Sequence, residues 1–204
     1  MCFPDKGEFI KGHTAFKTKD PRDAVYNVAT AFISCIWGDP IQMADGIGEF
    51  LLKWNKLFYR SDKNLDFDAL ERCIAANLQK LKGFRERDIF SLSNDDEDNI
   101  KYLFNEFLNA SKISSGKRQG TKSPVSVAKA LHVIAPSFFP LWDTAIARHY
   151  GCDYSKLPAK KYFLFCIKMK NMAKAVKNYV NKPPDKLLKL MDEYNFAKYT
   201  KGWI

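Results

Sequence analysis

Two residues with complementary chemistry stand 21 positions apart in the C-terminal half of the chain, Lys122 and Asp143. A lysine amine attacks electrophilic carbon once it is neutral, and forms an imine with a carbonyl carbon. A carboxylate beside it can take up the proton and stabilise a cationic transition state. Each residue also has an ordinary interpretation, Lys122 as a solvated loop lysine and Asp143 as the N-cap of a helix. The pair indicates imine chemistry only if the fold brings the two side chains together.

The segment "GTKSPVSVAKALH" predicts a helix start directly after Lys122. Ser123 is a preferred N-cap and Pro124 suits the first helical position. Lys122 is then expected outside the helix, at the positive end of its dipole, where anions are favoured and an ammonium is disfavoured. The helical period places Ser126 and Lys129 on the same exposed face.

The segment "PSFFPLWDTAIARHYG" predicts a chain reversal followed by a second helix, with Asp143 at its N-terminus and Gly151 at its end. The reversal contains three aromatic residues, Phe138, Phe139 and Trp142. For the two phenylalanines, packing in the core is the favoured interpretation, because aromatic residues at such turns usually point inward.

The remaining segments also have helical periodicity, and none alternates with period two for long enough to indicate a sheet. Asp20 and Pro21 are expected to start a helix that ends before Gly38, with a buried stripe of Val25, Val28, Ala29, Phe32 and Ile36. Another is expected to end at Gly83. A further helix is predicted after the acidic stretch at 94–98, with a buried stripe of Ile100, Leu103, Phe104, Phe107 and Leu108. Two more are predicted from about 158 to 180 and from 184 to 199. The predicted fold is all-α, a single domain over residues 1–204. Two lobes, 1–115 and a basic 116–204, and a single bundle with one long loop both remain open.

Positive charge is concentrated in one part of the chain. The net charge is +10, and the stretch from Lys156 to Lys189 has ten lysines and one acidic residue. Phosphate backbones are frequent partners of such patches, because binding releases counterions. The alternative is a solvated, lysine-rich helix face.

Composition limits the class of protein. Hydrophobic residues make up 46% of the chain, which is enough for a packed core without a metal or disulfide. The five cysteines are widely spaced with no CxxC pair, which favours reduced thiols. No apolar run approaches about 18 residues, so we expect a cytoplasmic protein with no membrane partner. His132, His149 and Cys152 have poor spacing for zinc, and satisfied histidines are the favoured interpretation.

The order Gly120-Thr121-Lys122, an apolar helix, a proline-containing loop and "DTAIAR" resembles the helix–hairpin–helix DNA glycosylases. Within that superfamily it is most similar to the 8-oxoguanine glycosylase/lyase branch of archaeal type. The similarity covers residues 116–150, under a fifth of the chain. The usual hairpin has two glycines one residue apart, whereas here Gly116 and Gly120 are separated by three residues, and the proline stands three residues before Asp143 instead of two.

The resemblance implies a DNA glycosylase/AP lyase that excises an oxidised purine from double-stranded DNA. It implies Lys122 as the Schiff-base nucleophile and Asp143 as its partner, with no cofactor and no cluster, and we expect a monomer. It also implies a pocket for the flipped base, for which Phe138, Phe139 and Trp142 are the candidate walls. The residues expected to contact DNA are Lys117, Arg118, Gly120, Thr121, Ser123, Ser126, Lys129, Lys160 and Lys161. The alternative is a non-catalytic helical module that binds nucleic acid or a protein.

Overall fold

The computed structural model describes residues 3–20, 23–60, 64–179 and 186–204, and over these ranges the chain is helical with no strand. The predicted all-α class is confirmed. The α-helices are α1 (Lys6–Lys19), α2 (Asp23–Cys35), α3 (Pro40–Trp54), α4 (Lys56–Tyr59), α5 (Phe67–Arg85), α6 (Glu97–Ala110), α7 (Pro124–Ile134), α8 (Thr144–His149), α9 (Pro158–Val176) and α10 (Leu187–Asn195). Short 3₁₀ turns cover Ile89–Ser91, Asn94–Asp96 and Gly116–Arg118, and a π-helical turn, Phe196–Thr200, extends α10.

Side-chain caps begin several of these helices where the sequence supplies them. Asp39 accepts hydrogen bonds from the backbone of Ile41 and Gln42 at the start of α3. Asp66 accepts one from Ala69 at 2.8 Å at the start of α5. Such caps satisfy backbone N–H groups that have no partner within the helix, so the starts of these helices follow from local sequence.

The predicted apolar stripe of α6 is buried as expected. It contains Ile100, Leu103, Phe104, Phe107 and Leu108. Spacings of three and four residues place these side chains on one face of the helix, and that face packs against α5, α7 and α9.

The apolar stripe predicted for α2 is correct for Ala29, which is buried, and in part for Val25 and Ile36, which pack partly buried against the core, but wrong for Val28 and Phe32. The stripe expected to be buried was Val25, Val28, Ala29, Phe32 and Ile36. The buried residues are Tyr26, Ala29 and Ile33, whereas Val28 is 69% exposed and Phe32 43% exposed. Because α2 has apolar residues on most sides, its sequence pattern does not define one buried face. The face that is buried is the one that packs against α3 and α7.

Several predicted boundaries also differ. Helix α1 was not expected, and Asp20 lies at its C-terminal end, where its N–H donates to the Phe16 carbonyl at 2.9 Å. Pro21 lies outside the described residues. Gly83 lies inside α5 and does not end it. Helix α9 ends at Val176, and the predicted limits at 180 and 184 fall outside the described residues.

One hydrophobic core connects the two ends of the chain and runs from Phe9 in α1 to Tyr194 in α10. Helix α1 packs against α10, and α7 packs against α2, α3 and α6. Helix α7 is therefore nearly enclosed, with eight of its eleven residues buried. This enclosure fixes the positions of the few polar side chains that α7 carries.

Candidate active site

The segment before α7 folds back on itself and leaves Lys122 at the surface. The Gly120 N–H donates to the Ile113 carbonyl at 2.8 Å, and the Ile113 N–H donates to the Thr121 carbonyl at 2.9 Å. Lys122 is exposed, and its Nζ donates to Asn109 Oδ1 at 2.6 Å. The prediction that Lys122 lies outside the helix and is accessible to solvent is confirmed.

The two other cations of this segment differ in their surroundings. Lys117 is exposed. Arg118 lies with its guanidinium 5.2 Å from the centre of the Phe58 ring, and it donates to the Phe58 carbonyl at 2.7 Å. Arg118 therefore holds the segment against α4, in addition to any contact it makes with a ligand.

Asp143 is the N-cap of α8, as its ordinary interpretation predicted. Its Oδ1 accepts a hydrogen bond from the Ile146 N–H at 2.8 Å. Its Oδ2 accepts one from the hydroxyl of Thr200, at the end of the chain. Both carboxylate oxygens thus have a protein partner, and the two bonds fix the direction of the carboxylate.

Asp143 also lines a cavity of about 340 Å³ whose lining residues come from both halves of the chain. The first half contributes Phe16, Asp20, Trp54, Asn55 and Leu57, and the second contributes Val125, Lys129, Leu141, Trp142, Asp143, Thr144, Asp192 and Phe196. Lys122 is not among the lining residues. A cavity of this size is within the usual range for small-ligand sites, and it combines aromatic walls, three carboxyl groups and one lysine.

Lys129 is the lysine of this cavity. It lies in the middle of α7, and its Nζ donates to the Trp54 carbonyl at 2.8 Å. The ammonium also lies 5.7 Å from the centre of the Trp54 ring, within reach of a cation–π interaction. These two contacts hold the Lys129 amine at the cavity wall, beside Trp54 at the C-terminal end of α3.

Asn55 ties the wall of the cavity to the start of α7. Its side-chain amide donates to Ser126 Oγ at 2.7 Å and to Ser123 Oγ at 3.2 Å. The Ser123 side chain caps α7 as predicted, by accepting from the Ser126 N–H. The expectation that Ser126 is exposed is wrong, because Asn55 and the packing of α3 cover it completely.

Asp192 is an acid of the cavity with a perturbed pKa. Burial raises its pKa to about 7, and the neighbouring Asp143 and Glu193 carboxylates act in the same direction. The cations Lys189 and Lys129 oppose the shift without cancelling it. A carboxyl group in this state can both donate and accept a proton near neutral pH.

Among the predicted wall residues, only Trp142 reaches the cavity. Its ring is 1% exposed, and its Nε1–H donates to the Pro124 carbonyl at 3.2 Å. Phe138 and Phe139 are fully buried against Phe84, with ring centroids 4.7 and 5.1 Å from it. The assignment of both phenylalanines to a base pocket is therefore wrong, and the core alternative is confirmed.

The lysine-rich segment is not uniformly exposed. Lys160 and Lys161 lie in the first turn of α9, exposed and partly exposed respectively, and neither lines the cavity. Lys189 is 5% exposed, and its Nζ lies 2.9 Å from Glu193 Oε1 and 3.3 Å from Asp23 Oδ1. Lys189 is part of a buried ion network, so it does not belong to a phosphate-binding surface.

Four residues of the cavity were not predicted from the sequence: Asp20, Trp54, Asn55 and Asp192. Asp20 and Trp54 lie in segments whose helical pattern indicates only which residues face the core. Asp192 had a weak signal, because it and Glu193 are adjacent acids directly after the lysine-rich stretch. Their meeting depends on the packing of α10 against the first half of the chain, which local patterns do not encode.

The predicted satisfied state of His132 is confirmed. Its Nδ1 donates to the Phe139 carbonyl at 2.6 Å, and its Nε2 accepts a hydrogen bond from the Tyr26 hydroxyl at 2.9 Å. Burial lowers its pKa to about 4, so the ring is neutral at physiological pH. His149 stacks on Tyr199, with ring centroids 3.6 Å apart. Over the described ranges, no three His, Cys, Asp or Glu side chains converge as metal ligands would.

Comparisons with known proteins return no match: no family model, curated protein or solved structure resembles the chain significantly. Within the described part of the chain, no helix is long and apolar enough to cross a membrane. The functional argument therefore depends on the cavity itself.

Proposed function

We propose that the protein is a DNA glycosylase with AP lyase activity, and that the cavity bearing Lys129 and Asp143 is its active site. The observation that carries the proposal is the lining of this cavity. An amine, a carboxylate fixed by two hydrogen bonds and the indole of Trp142 border one space of about 340 Å³. The substrate is a damaged purine, of the 8-oxoguanine type, in double-stranded DNA.

In this proposal the nucleophile is Lys129 instead of Lys122. Lys129 lines the cavity with Asp143, whereas Lys122 does not and is held by Asn109. Lys122 then contributes to DNA binding, together with Lys117 and with Lys160 and Lys161 in the first turn of α9. The segment Gly116–Tyr150 corresponds to the hairpin and following helix of the glycosylase family that it resembles.

The chemistry assigns one role to each group. The Lys129 amine attacks C1′ of the flipped nucleotide, the bond from C1′ to the base breaks, and the base leaves with the bonding electrons and takes up a proton. The ring bond from C1′ to O4′ then breaks as the nitrogen lone pair forms the C=N bond, and O4′ takes up a proton. The resulting protonated imine permits loss of a C2′ proton and of the 3′ phosphate by β-elimination. Asp143 stabilises the positive charge on the sugar. Asp192, which titrates near neutrality, accepts the proton that the Lys129 ammonium must lose.

The two-lobed arrangement is part of the same proposal. Residues from 1–115 and from 116–204 both line the cavity, which suits an active site in a cleft between two lobes. We place the enzyme in the cytoplasm as a monomer. The free thiols of Cys35, Cys73, Cys152 and Cys166 are compatible with a reducing compartment.

A non-catalytic binding module is the second candidate, and one observation favours it. Both oxygens of Asp143 are engaged by Ile146 and Thr200, so the carboxylate has a structural task that needs no chemistry. In that case the cavity binds an unpaired base without cleaving it.

Borohydride trapping separates these candidates, because only an imine gives a covalent adduct. The substrates are duplexes with 8-oxoguanine, uracil or an abasic site. We expect the wild type to be trapped. Lys129→Arg, which keeps a donor for the Trp54 carbonyl but lacks the nucleophile, should lose the adduct, and Lys122→Arg should retain it. Absence of wild-type cleavage on every duplex would favour the binding module, and loss of trapping only in Lys122→Arg would return the nucleophile to Lys122.

A further inference from the structure

An open groove of about 520 Å³ runs between α2 and α3 and shares no lining residue with the cavity. Its apolar lining residues are Ala24, Val25, Val28, Ala29, Phe32 and Phe50. Val28 and Phe32 are four residues apart on α2, 69% and 43% exposed. They form an apolar ridge on a side of α2 that the sequence pattern predicts to be buried. No element among the described residues covers this ridge, so it has the character of an uncovered core face.

The floor of the groove is shaped by a glycine. A Cβ at Gly46 would lie 2.7 Å from Phe32 Cδ1 and 3.0 Å from Ile33 Cδ1. The missing side chain therefore lets the Phe32 ring lie against the backbone of α3. A larger residue here would displace Phe32, so the flat apolar floor depends on this close approach.

The rim of the groove has the opposite charge to the chain as a whole. Asp45 and Glu49 are exposed and lie one turn apart on α3, with Lys53 a further turn along. From residue 23 to residue 54 the chain has four acidic residues and one lysine, whereas the whole chain has a net charge of +10. The acidic character is therefore local to this pair of helices.

We propose that the groove binds an amphipathic helix of a partner protein, with apolar side chains that cover Val28 and Phe32 and lysine or arginine side chains that pair with Asp45 and Glu49. An apolar groove with a charged rim is a common site for such helices. The acidic rim disfavours nucleic acid and anionic lipid, because both would bring negative charge to Asp45 and Glu49. A symmetric second copy is disfavoured for the same reason, since a two-fold contact brings identical patches together.

The proposal can be tested with two labelled peptides of about 18 residues, five helical turns. Both have leucines at i, i+3, i+4 and i+7; one has lysines on its polar face and the other has glutamates at the same positions. The net charge of +10 opposes the lysine peptide. Preferential binding of that peptide, by on the order of tenfold in Kd, therefore requires the local acidic rim.

Three variants of the full chain locate the binding. Val28→Asp should weaken the lysine peptide on the order of tenfold, while Leu157→Asp, at a site equally exposed at 69% outside the groove, should not. The double change Asp45→Lys and Glu49→Lys should reverse the preference between the two peptides. Thermal unfolding of each variant verifies that the fold is kept.

Three results would overturn the proposal. One is tighter or equal binding of the glutamate peptide by the wild type. Another is equal weakening by Val28→Asp and Leu157→Asp. The third is a different occupant, seen as a dimer in sedimentation or as binding to vesicles of anionic phospholipid that Val28→Asp removes.

Discussion

Lys129 and Asp143 line the same cavity from two successive helices, the lysine from the middle of α7 and the aspartate from the start of α8. The chain between them reverses through a buried aromatic segment, which includes Trp142. Because α7 is nearly enclosed and Asp143 is held by its cap, both groups have little freedom to move. Such preorganisation is what the proposed reaction at a sugar carbon would require.

Replacing Asp143 with Asn is expected to reduce activity without a comparable loss of stability. Asn is about as good an N-cap as Asp, so the bond from the Ile146 N–H is retained and the unfolding free energy should change by less than about 1 kcal/mol. Loss of the negative charge should reduce single-turnover base excision by about 10²- to 10⁴-fold. Asp143→Ala serves as the control that removes the cap as well. Full activity in Asp143→Asn would show that the carboxylate is only structural.

The raised pKa of Asp192 predicts a stability that falls as pH increases. In the unfolded chain an aspartate titrates near its ordinary value of 3.8, whereas in the folded protein this group titrates near 7. Between these values the folded state holds a proton that the unfolded state has lost. The unfolding free energy should therefore decrease as pH rises from about 4 to about 7, by at most about 4 kcal/mol from this group.

Asp192→Asn tests this prediction directly. The variant should be more stable than the wild type at pH 8 and should lose most of the difference at pH 4. Urea unfolding at both pH values measures it. If the proposed proton transfer from Lys129 is correct, the same variant should also lose the acidic limb of the pH–rate profile. An unchanged stability difference between pH 4 and pH 8 would contradict the raised pKa.

The sequence predicted those parts of the structure that local interactions determine. The start of α7 at Ser123 and Pro124 and the cap at Asp143 need only neighbouring residues, and both were correct. The buried stripe of α6 was correct because only one of its faces is apolar. Helix α2 has apolar residues on most sides, so its buried face depended on Tyr26 finding His132, 106 positions away.

The cavity residues were harder to predict for the same reason. Lys129 and Trp54 are 75 residues apart, and their hydrogen bond exists only in the folded chain. The prediction for Lys189 was wrong in another way. The charge pattern predicted that it lies on the surface, whereas it is buried beside Asp23 and Glu193. Local sequence indicates that a lysine prefers water, but it does not reveal a buried partner.

His132 predicts a loss of stability in acid. Its pKa is lowered to about 4 by burial, against an ordinary value of 6.5. Below pH 6.5 the unfolded chain binds a proton that the folded protein excludes, so the unfolding free energy should fall as pH decreases from about 6.5 to about 4. The loss from this one group should be about 3 kcal/mol.

His132→Gln should remove this contribution, because an amide does not titrate. The variant should be less stable than the wild type at pH 7, where it replaces hydrogen bonds to Tyr26 and Phe139 imperfectly, and the difference should shrink towards pH 4. Denaturant unfolding at several pH values gives the comparison. A constant difference over this range would mean that the pKa of His132 is the same in the folded and unfolded states.

The basic surface predicts a strong dependence of DNA binding on salt. Each phosphate neutralised by a lysine contributes about −0.9 to the slope of log Kobs against log salt concentration. Lys160→Gln should therefore reduce the slope by about one while lowering affinity for all duplexes alike. Lys82→Gln, an exposed lysine of α5 in the other half of the chain, is the control and should leave the slope unchanged. Equal effects of the two substitutions would mean that the net charge of the protein sets the affinity for DNA, and that the first turn of α9 makes no specific contact with the DNA backbone. A wild-type slope near zero would remove the electrostatic argument for DNA as the partner.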